Sequence, residues 1–255
     1  MKYLFVGDIH NHKYIFEDIQ KLDRKYLFDR IVCLGDYVDD WKTCNADSIA
    51  TLNILLKLKQ TQPDKYILLI GNHELSYLGF PCSGHDYNLE EVLELELKSN
   101  IELFNLSYVA KCGETDYLCT HAGITLNYLK YLEDKTNITD SNVLDELEKN
   151  KLASLPLLTV CSSARGGTHE FSSFVWCDLR EHQYTSLING TIYPNQIVGH
   201  TPVNKIRLID SIYYIDTHST MPNGDHIGNQ SYLIWDEDKF ITICSNEIKE
   251  AGLNE

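Results

Sequence analysis

Short apolar runs that each end in a tight polar break recur along the chain. Continuous apolar runs of this length predict strands buried on both faces of a largely parallel sheet. They cover residues 2–6, 30–34, 65–70, 117–119 and 196–198. Glycine follows several of them and lets the backbone turn sharply. The polar breaks mark the carboxyl ends of the strands, where open α/β sheets place their functional sites.

Between these runs, apolar residues recur at helical spacing. Residues 14–26 place Ile15, Ile19 and Leu22 on one stripe, with charged residues on the other side. Further helices are predicted over residues 47–60, 88–97 and 141–152. Asn88 is the expected cap of the second of these.

The last third of the chain has a different pattern. Strands are predicted over residues 205–215, 231–236 and 239–244, and the last two form a hairpin through Asp236-Glu237-Asp238-Lys239. The irregular stretch at residues 159–168 predicts a loop that lies over the site.

The polar breaks contain an unusual number of metal-binding side chains. Asp8 and His10 are one residue apart, so in an extended segment they point the same way and can hold one cation. Mixed nitrogen and oxygen ligands suit manganese, iron or zinc better than calcium or magnesium. The polar breaks offer six such side chains in all, which are too many for one catalytic ion but fit two ions that share a carboxylate. The six candidate ligands are Asp8, His10, Asp36, Asn72, His121 and His200.

Six of the remaining histidines lack this setting after a strand. For His12, His85, His169, His182 and His226 we expect an ordinary structural or surface role. The sequence leaves His218 open between a ligand and a core residue.

Five motifs, in this order, resemble those of the calcineurin-like metallophosphoesterases. They are Gly7-Asp8-Ile9-His10, Gly35-Asp36-Tyr37-Val38-Asp39, Gly71-Asn72-His73-Glu74, Thr120-His121-Ala122-Gly123 and Gly199-His200-Thr201. The serine/threonine phosphoprotein phosphatase branch, with its bacterial and phage relatives, is the most similar. This resemblance implies an α/β fold, a four-layer α/β/β/α sandwich of two mixed sheets with a dinuclear site between them.

The resemblance also implies a role for each motif residue. Asp8, His10 and Asp36 would hold the first metal, and Asp36 would bridge to a second one completed by Asn72, His121 and His200. His73 matches the catalytic histidine of the family, and Asp39 matches the carboxylate that orients it. A metal-bridging hydroxide would attack phosphorus, and an imidazole held by a carboxylate suits protonation of the leaving oxygen.

Two positions depart from the family pattern. The phosphatase motif continues Asp-Arg-Gly, whereas here Asp39 is followed by Asp40 and Trp41, so the arginine that would bind phosphate is missing. Asn11 replaces a glycine, and asparagine tolerates a left-handed backbone. We expect Arg165, flanked by small residues, to supply the missing guanidinium, with Arg180 as the alternative.

Composition narrows the function classes. The 255 residues include 22 basic and 37 acidic ones, a net charge of −15 that argues against an extended nucleic-acid surface or an anionic membrane. There is no apolar run near the length of a membrane span, and the amino terminus reaches a Gly-Asp step too early for a signal peptide. Eight cysteines without a C-x-x-C pair indicate reduced thiols in a cytoplasmic protein. We expect a single domain over residues 1–255, because one site draws ligands from most of the chain.

These observations predict a dinuclear, metal-dependent phosphatase of phosphomonoesters, similar to the serine/threonine phosphoprotein phosphatases. Two divalent ions are expected, Mn²⁺ first, with iron or zinc as alternatives. A hydrolase of dinucleoside polyphosphates or nucleotides is the alternative. A scaffold without metal is disfavoured, because every one of the six ligand positions is present. The physiological substrate, phosphoprotein or small phosphoester, and the oligomeric state stay open.

Overall fold

The computed structural model describes residues 1–42, 45–80, 90–138, 142–182 and 195–250. Its helices are α1 (Tyr14–Tyr26), α2 (Asn45–Thr61), α3 (Asn72–Tyr77), α4 (Glu90–Ser99), α5 (Leu126–Thr136), α6 (Asn142–Lys149), α7 (Lys151–Ser154), α8 (Leu179–His182) and α9 (Ser245–Glu250). Its strands are β1 (Tyr3–Val6), β2 (Arg30–Cys33), β3 (Tyr66–Leu69), β4 (Phe104–Asn105), β5 (Tyr108–Cys112), β6 (Thr115–Cys119), β7 (Gln196–Val198), β8 (Arg207–Ile209), β9 (Ile212–Tyr214), β10 (Ser231–Asp236) and β11 (Lys239–Cys244). Within these ranges, no helix has both the length and the apolar character needed to span a membrane.

The strands form two mixed sheets. The first has the order β11-β10-β1-β2-β3-β4, with β1 to β4 parallel and the β10–β11 hairpin antiparallel at one side. The second has the order β5-β6-β7-β9-β8, with β6, β7 and β9 parallel. The expected α/β architecture of two mixed sheets is therefore confirmed.

Strand β1 shows why the predicted strands are apolar on both faces. Leu4 and Val6 belong to a cluster that includes residues of α1 and α2, whereas Tyr3 and Phe5 belong to a second cluster shared with the other sheet. A third cluster packs residues of β7 and β9 against Leu179 of α8. The layers are therefore helix, sheet, sheet and helix, and the core lies on both sides of each sheet.

Of the two hairpins in the last third of the chain, one agrees with the prediction and the other does not. The strands at residues 231–236 and 239–244 are confirmed, and their turn uses Glu237 and Asp238 with φ of 49° and 59°, the positive values that tight hairpin turns favour. The single strand predicted over residues 205–215 is wrong. Asp210 and Ser211, with φ of 47° and 69°, turn the chain there and divide the segment into β8 and β9.

Two other predicted elements differ in detail. The helix predicted over residues 141–152 is interrupted at Asn150, so that α6 and α7 are separate. The segment at residues 159–168, predicted as a loop, contains a short 3-10 turn at Ser163–Arg165, which Ser162 caps by accepting a hydrogen bond from the backbone N–H of Ala164. Asn88, the predicted cap of α4, and His85 lie outside the described residues.

Candidate active site

The ends of five strands bring the predicted ligands together. Asp8 follows β1, Asp36 follows β2 and Asn72 begins α3 just after β3, and these three parallel strands end at one edge of the first sheet. His121 and His200 follow the parallel strands β6 and β7 of the second sheet. These five side chains are buried, and they meet where the two sheets face each other. The sixth predicted ligand, His10, also follows β1 and is partly exposed.

One group of metal-binding atoms lies around His10. The Nδ1 atom of His10 donates to the carbonyl oxygen of Asp39 at 2.7 Å, so Nε2 faces the carboxylates of Asp8 and Asp36 at 3.8 and 3.9 Å. The ligand atoms of His10, Asp36 and His73 all lie within 4.8 Å of one another. His73, predicted as the catalytic histidine, therefore lies beside the predicted first-metal ligands.

A second group surrounds His121. Its Nδ1 donates to the carbonyl oxygen of Leu34 at 2.9 Å, and its Nε2 lies 3.0 Å from Asn72 Oδ1, 3.2 Å from His200 Nδ1 and 3.3 Å from Asp36 Oδ2. The ligand atoms of Asp36, His121 and His200 lie within 4.8 Å of one another. Asp36 is thus the one residue that belongs to both groups.

These donor atoms fit divalent cations. The imidazole of His200 has its Nδ1 atom 3.2 Å from His121 Nε2, and its Nε2 atom is buried without a hydrogen-bond partner. Several carboxylates and imidazoles face one another in a buried space, an arrangement that is costly unless positive charge lies between them. Nitrogen and oxygen donors in this mixture suit manganese, iron and zinc.

The pKa values of the site reflect this crowding. Burial lowers the pKa of His10 and of His121, but the carboxylates of Asp36 and Asp8 outweigh burial and raise each to about 9. Burial raises the pKa of Asp36, but the imidazoles of His121 and His73 hold it well below its usual range. Burial, Arg165 and His121 lower the pKa of His200. The carboxylates thus favour positive charge at His10 and His121, the charge that a divalent cation would replace.

A contact with the end of β7 places Asp8. The backbone N–H of His200 donates to Asp8 Oδ1 at 2.9 Å, which links the ends of β1 and β7. A Cβ atom on Gly199 would lie 2.2 Å from the same oxygen, so only glycine permits this approach. Burial and the neighbouring Asp216 carboxylate raise the pKa of Asp8 well above its usual range.

Asp216 is a site residue that the sequence analysis missed. It is fully buried behind Asp8, and its carboxylate accepts hydrogen bonds from the backbone N–H and the hydroxyl of Ser219. It adds a negative charge beside the predicted first-metal ligands. The apolar run that ends at Ile215 was the available signal, since Asp216 follows a strand as Asp8 and Asp36 do.

Glu74 holds the backbone that carries Asp36. It is fully buried, and its carboxylate accepts from the backbone N–H groups of Asp36, Tyr37 and Gly71 at 2.9, 2.8 and 3.0 Å. Burial and the Asp36 carboxylate raise its pKa. The sequence placed Glu74 in a motif but did not indicate this role, because the contact joins residues that are far apart in the chain.

His73 and Asp39 form the pair that the resemblance implies. His73 Nδ1 lies 2.9 Å from Asp39 Oδ2, and a carboxylate only accepts, so Nδ1 carries a proton. The hydroxyl of Tyr77 donates to the other oxygen of Asp39. Nε2 of His73 is left facing the site, 4.0 Å from Asp36 Oδ2.

The two candidate arginines occupy different positions. Arg165 lines the same pocket as His200 and donates through Nη2 to Thr201 Oγ1 at 2.8 Å, and its Nε lies 2.9 Å from Asp178 Oδ2. The side chain of Arg180 is 66% exposed, donates to the same Asp178 at 2.7 Å and is not among the residues that line the pocket. Arg165 therefore lies in the pocket, whereas Arg180 lies outside it and contacts Asp178, the residue that also contacts Arg165.

The other described histidines lie outside the two groups of metal-binding atoms. His218 is buried, with Nδ1 3.1 Å from the Tyr14 hydroxyl and Nε2 3.2 Å from the carbonyl oxygen of Ser231, as in a hydrogen-bonded core residue. His182 is buried against Tyr214, with Nδ1 2.8 Å from its hydroxyl. Asn11 has a φ of 65°, the left-handed conformation expected of the residue that replaces glycine.

The metal-binding atoms open into a pocket of about 490 Å³. Its inner wall carries Asp8, His10, Asp36, Asn72, His73 and His200. Asp40 and Trp41 line it on the side of Thr220 and Met221, and Arg165 and Trp176 line it beside His200. A pocket of this size admits a phosphate ester together with part of its leaving group.

Comparison with known proteins points to one family. The family model described as calcineurin-like phosphoesterase matches residues 1–204. The cold-active protein-tyrosine phosphatase of a psychrophilic Shewanella species is 16% identical, with a TM-score of 0.64 over 95% of this chain and 77% of that one. A protein serine/threonine phosphatase from Saccharomyces cerevisiae is also 16% identical, with a TM-score of 0.54 over 95% of this chain and 79% of that one. These two likenesses concern the fold.

Proposed function

This chain belongs to the calcineurin-like phosphoesterase family and is a metal-dependent phosphoester hydrolase, and we propose that it is a phosphatase that hydrolyses phosphomonoesters at a centre of two divalent cations. The observation that carries the proposal is the position of Asp36, which belongs to both groups of metal-binding atoms. A carboxylate that belongs to both groups can bind two neighbouring cations at once and offset their mutual repulsion.

The residues divide into two ligand sets. Asp8, His10 and Asp36 would hold one cation, and Asp36, Asn72, His121 and His200 would hold the other. When bound, such cations supply a hydroxide nucleophile near neutral pH and neutralise charge on the phosphoryl oxygens. We propose Mn²⁺ as the native metal, because the mixed nitrogen and oxygen donors suit it, with iron and zinc as alternatives.

His73 is the proposed proton donor to the leaving oxygen. Asp39 fixes Nδ1, so the ring presents Nε2 to the pocket, and a proton there can pass to the alkoxide as the ester bond breaks. The adjacent Asp39 carboxylate keeps the ring in this orientation before and after the transfer. Tyr77, which donates to Asp39, holds the carboxylate in place.

Arg165 is the proposed phosphate-binding residue. Its guanidinium is anchored by Asp178 and by Thr201, so it is already oriented in the pocket before substrate arrives. Its Nε and Nη2 atoms are used by Asp178, Thr201 and His200, so Nη1 is the nitrogen that would donate charge-assisted hydrogen bonds to a phosphate dianion. This side chain therefore supports phosphate binding from the His200 side of the pocket, in place of the arginine that the family has after Asp39.

We propose phosphoserine and phosphothreonine as the leading substrates, because the five motifs are most similar to the serine/threonine phosphoprotein phosphatases.

The cysteines support a reducing, cytoplasmic setting, since the six described ones are all free thiols.

The test combines metal content with three substrates. Elemental analysis of the purified protein should give two ions per chain, and a phosphoserine peptide and p-nitrophenyl phosphate should be hydrolysed faster than a dinucleoside tetraphosphate. Preferential cleavage of the tetraphosphate would replace the proposal with the alternative hydrolase. A protein with two ions that cleaves neither monoester would contradict the proposal.

A further inference from the structure

Asp40 and Trp41 stand where the family places its phosphate-binding arginine and the following glycine, and both line the pocket. Asp40 directly follows Asp39, which holds the proposed proton donor. Because His73 would protonate the leaving oxygen, the leaving group lies on the side of the pocket that Asp40 and Trp41 line. Where the family arginine would place a positive charge on the pocket wall, Asp40 places a negative one.

The Asp40 carboxylate is fixed and carries a charge that is available to a ligand. Its Oδ1 atom accepts from the backbone N–H of Trp41 at 2.8 Å and from the hydroxyl of Thr220. These neutral donors orient the carboxylate without cancelling its charge. Within the described ranges, no lysine, arginine or histidine forms an ion pair with Asp40.

Trp41 adds an aromatic face to the same rim. Its side chain is 63% exposed, and Met221, 48% exposed, lines the pocket with it. An exposed indole beside a carboxylate is a favourable arrangement for an ammonium or guanidinium group, which the ring face attracts and the carboxylate neutralises. The apolar neighbours Pro222 and Ile227 suit the carbon chain that would carry such a cation.

The pocket therefore combines two complementary charges. Arg165, beside His200, suits the phosphate, and Asp40 suits a cation farther along the substrate. We propose, on the basis of the proposed phosphatase function, that Asp40 and Trp41 select phosphomonoesters whose leaving group carries a positive charge. The cation is an ammonium or guanidinium group, supplied by a basic side chain next to a phosphorylated residue or by a small amino alcohol.

The same charge disfavours anionic leaving groups. A leaving nucleotide or polyphosphate brings several negative charges toward Asp40, and like charges at short range repel. Acidic residues next to a phosphoserine meet the same repulsion. The proposal therefore predicts a graded preference, from cationic to neutral to anionic leaving groups.

Two matched sets of substrates measure this preference. The first set consists of phosphoserine peptides that differ only in the next residue, which is lysine, glutamine or glutamate. The second consists of 2-aminoethyl phosphate and 2-hydroxyethyl phosphate. We expect kcat/KM to be about three- to tenfold higher for the cationic member than for the neutral one, mainly through KM, and the ratio to fall as salt screens the charges. If only the peptides show the preference, the cation is a basic side chain next to the phosphorylated residue. If only the small phosphates show it, the cation belongs to an amino alcohol.

Variants connect the preference to the two residues. Asp40→Asn should reduce the cationic-to-neutral ratio to about one, and Trp41→Leu should lower it by about twofold. Asp116→Asn is the matched control, because Asp116 is an exposed acid of β6 outside the pocket and its loss changes the net charge equally. This control should keep the wild-type ratio. Metal content, measured in parallel, should be the same in all three variants.

The outcomes separate this inference from the proposed function. Equal kcat/KM values for all members of both sets would overturn the inference and leave the phosphatase function standing. A ratio that persists in Asp40→Asn, or that falls equally in Asp116→Asn, would also overturn it. A metal-loaded protein that hydrolyses none of these monoesters would overturn both.

Discussion

At the residue scale, Asp36 has the largest expected effect, because it alone lies in both groups of metal-binding atoms. Asp36→Asn removes the shared negative charge, so two neighbouring cations would repel each other without compensation. We expect loss of one ion per chain and at least a hundredfold loss of turnover. Elemental analysis and steady-state kinetics measure the two effects, with Asp116→Asn as the control. Two retained ions with near-normal turnover would contradict the shared-ligand assignment.

His73 is expected to act on the leaving oxygen. His73→Asn removes the proton donor and should slow hydrolysis of alkyl phosphates by roughly 10² to 10⁴. The loss should be smaller for p-nitrophenyl phosphate, because nitrophenolate leaves without a proton. Rates on the two substrates, together with metal content, measure this difference. Equal losses on both substrates would exclude His73 as the general acid and favour a ligand role, which its position beside His10 and Asp36 also permits.

Arg165 and Arg180 form a matched pair, because both contact Asp178 but only Arg165 lines the pocket. Arg165→Ala should lower kcat/KM by about ten- to a hundredfold, mainly through KM, and weaken inhibition by inorganic phosphate in parallel. Arg180→Ala should change neither by more than about twofold, since its side chain is 66% exposed. The reverse order of effects would transfer the phosphate-binding role to Arg180.

At the scale of elements, the close approach of two strand ends depends on Gly35. Its φ is 108°, and a Cβ atom there would lie 2.7 Å from Gly71 N and 2.9 Å from His121 Nδ1. Gly35→Ala should therefore destabilise the fold by roughly 3 kcal/mol or more and weaken metal binding. Gly79 is the control, because its φ is 99° but a Cβ atom there meets open space, so alanine should cost about 1 kcal/mol. Urea denaturation compares the two, and equal losses would show that backbone strain alone is responsible.

The elements also show what the sequence could predict. The two parallel strands β1 and β2 and the helix α1 were predictable, because buried runs and amphipathic stripes are local patterns. The ligand motifs were predictable for the same reason, since each lies just after such a run. The two-residue strand β4 was not predicted, because its identity depends on pairing with β3 and not on its own residues. Asp216 also follows an apolar run, but it was missed because only the folded chain shows that its carboxylate lies beside Asp8.

At the scale of the whole molecule, buried neutral histidines make the fold sensitive to acid. Burial lowers the pKa of His182 to about 4 and that of His218 to about 3. Below about pH 6.5 the unfolded chain binds protons at these residues and the folded chain does not, so stability falls as the pH decreases from 6.5 toward 4. Each residue should cost roughly 2 kcal/mol at pH 4.5 relative to pH 7.

Urea denaturation of the metal-stripped protein at pH 7 and pH 4.5 measures this acid sensitivity. His218→Gln should reduce the loss of stability between the two pH values, because glutamine does not titrate. His169→Gln should leave the difference unchanged, since His169 is exposed. A His218→Gln protein with the full wild-type difference would show that His218 does not contribute.

The pairing of β1 with β10 has a consequence for biosynthesis. Strand β1 is synthesised long before β10, with which it pairs through Tyr3 and Trp235, so this edge of β1 stays open until β10 has been translated. An open apolar strand edge readily pairs with another chain. The nascent chain therefore presents this edge until β10 emerges. The first sheet can be completed only after β10 has emerged from the exit tunnel, so chaperone demand should persist until that point.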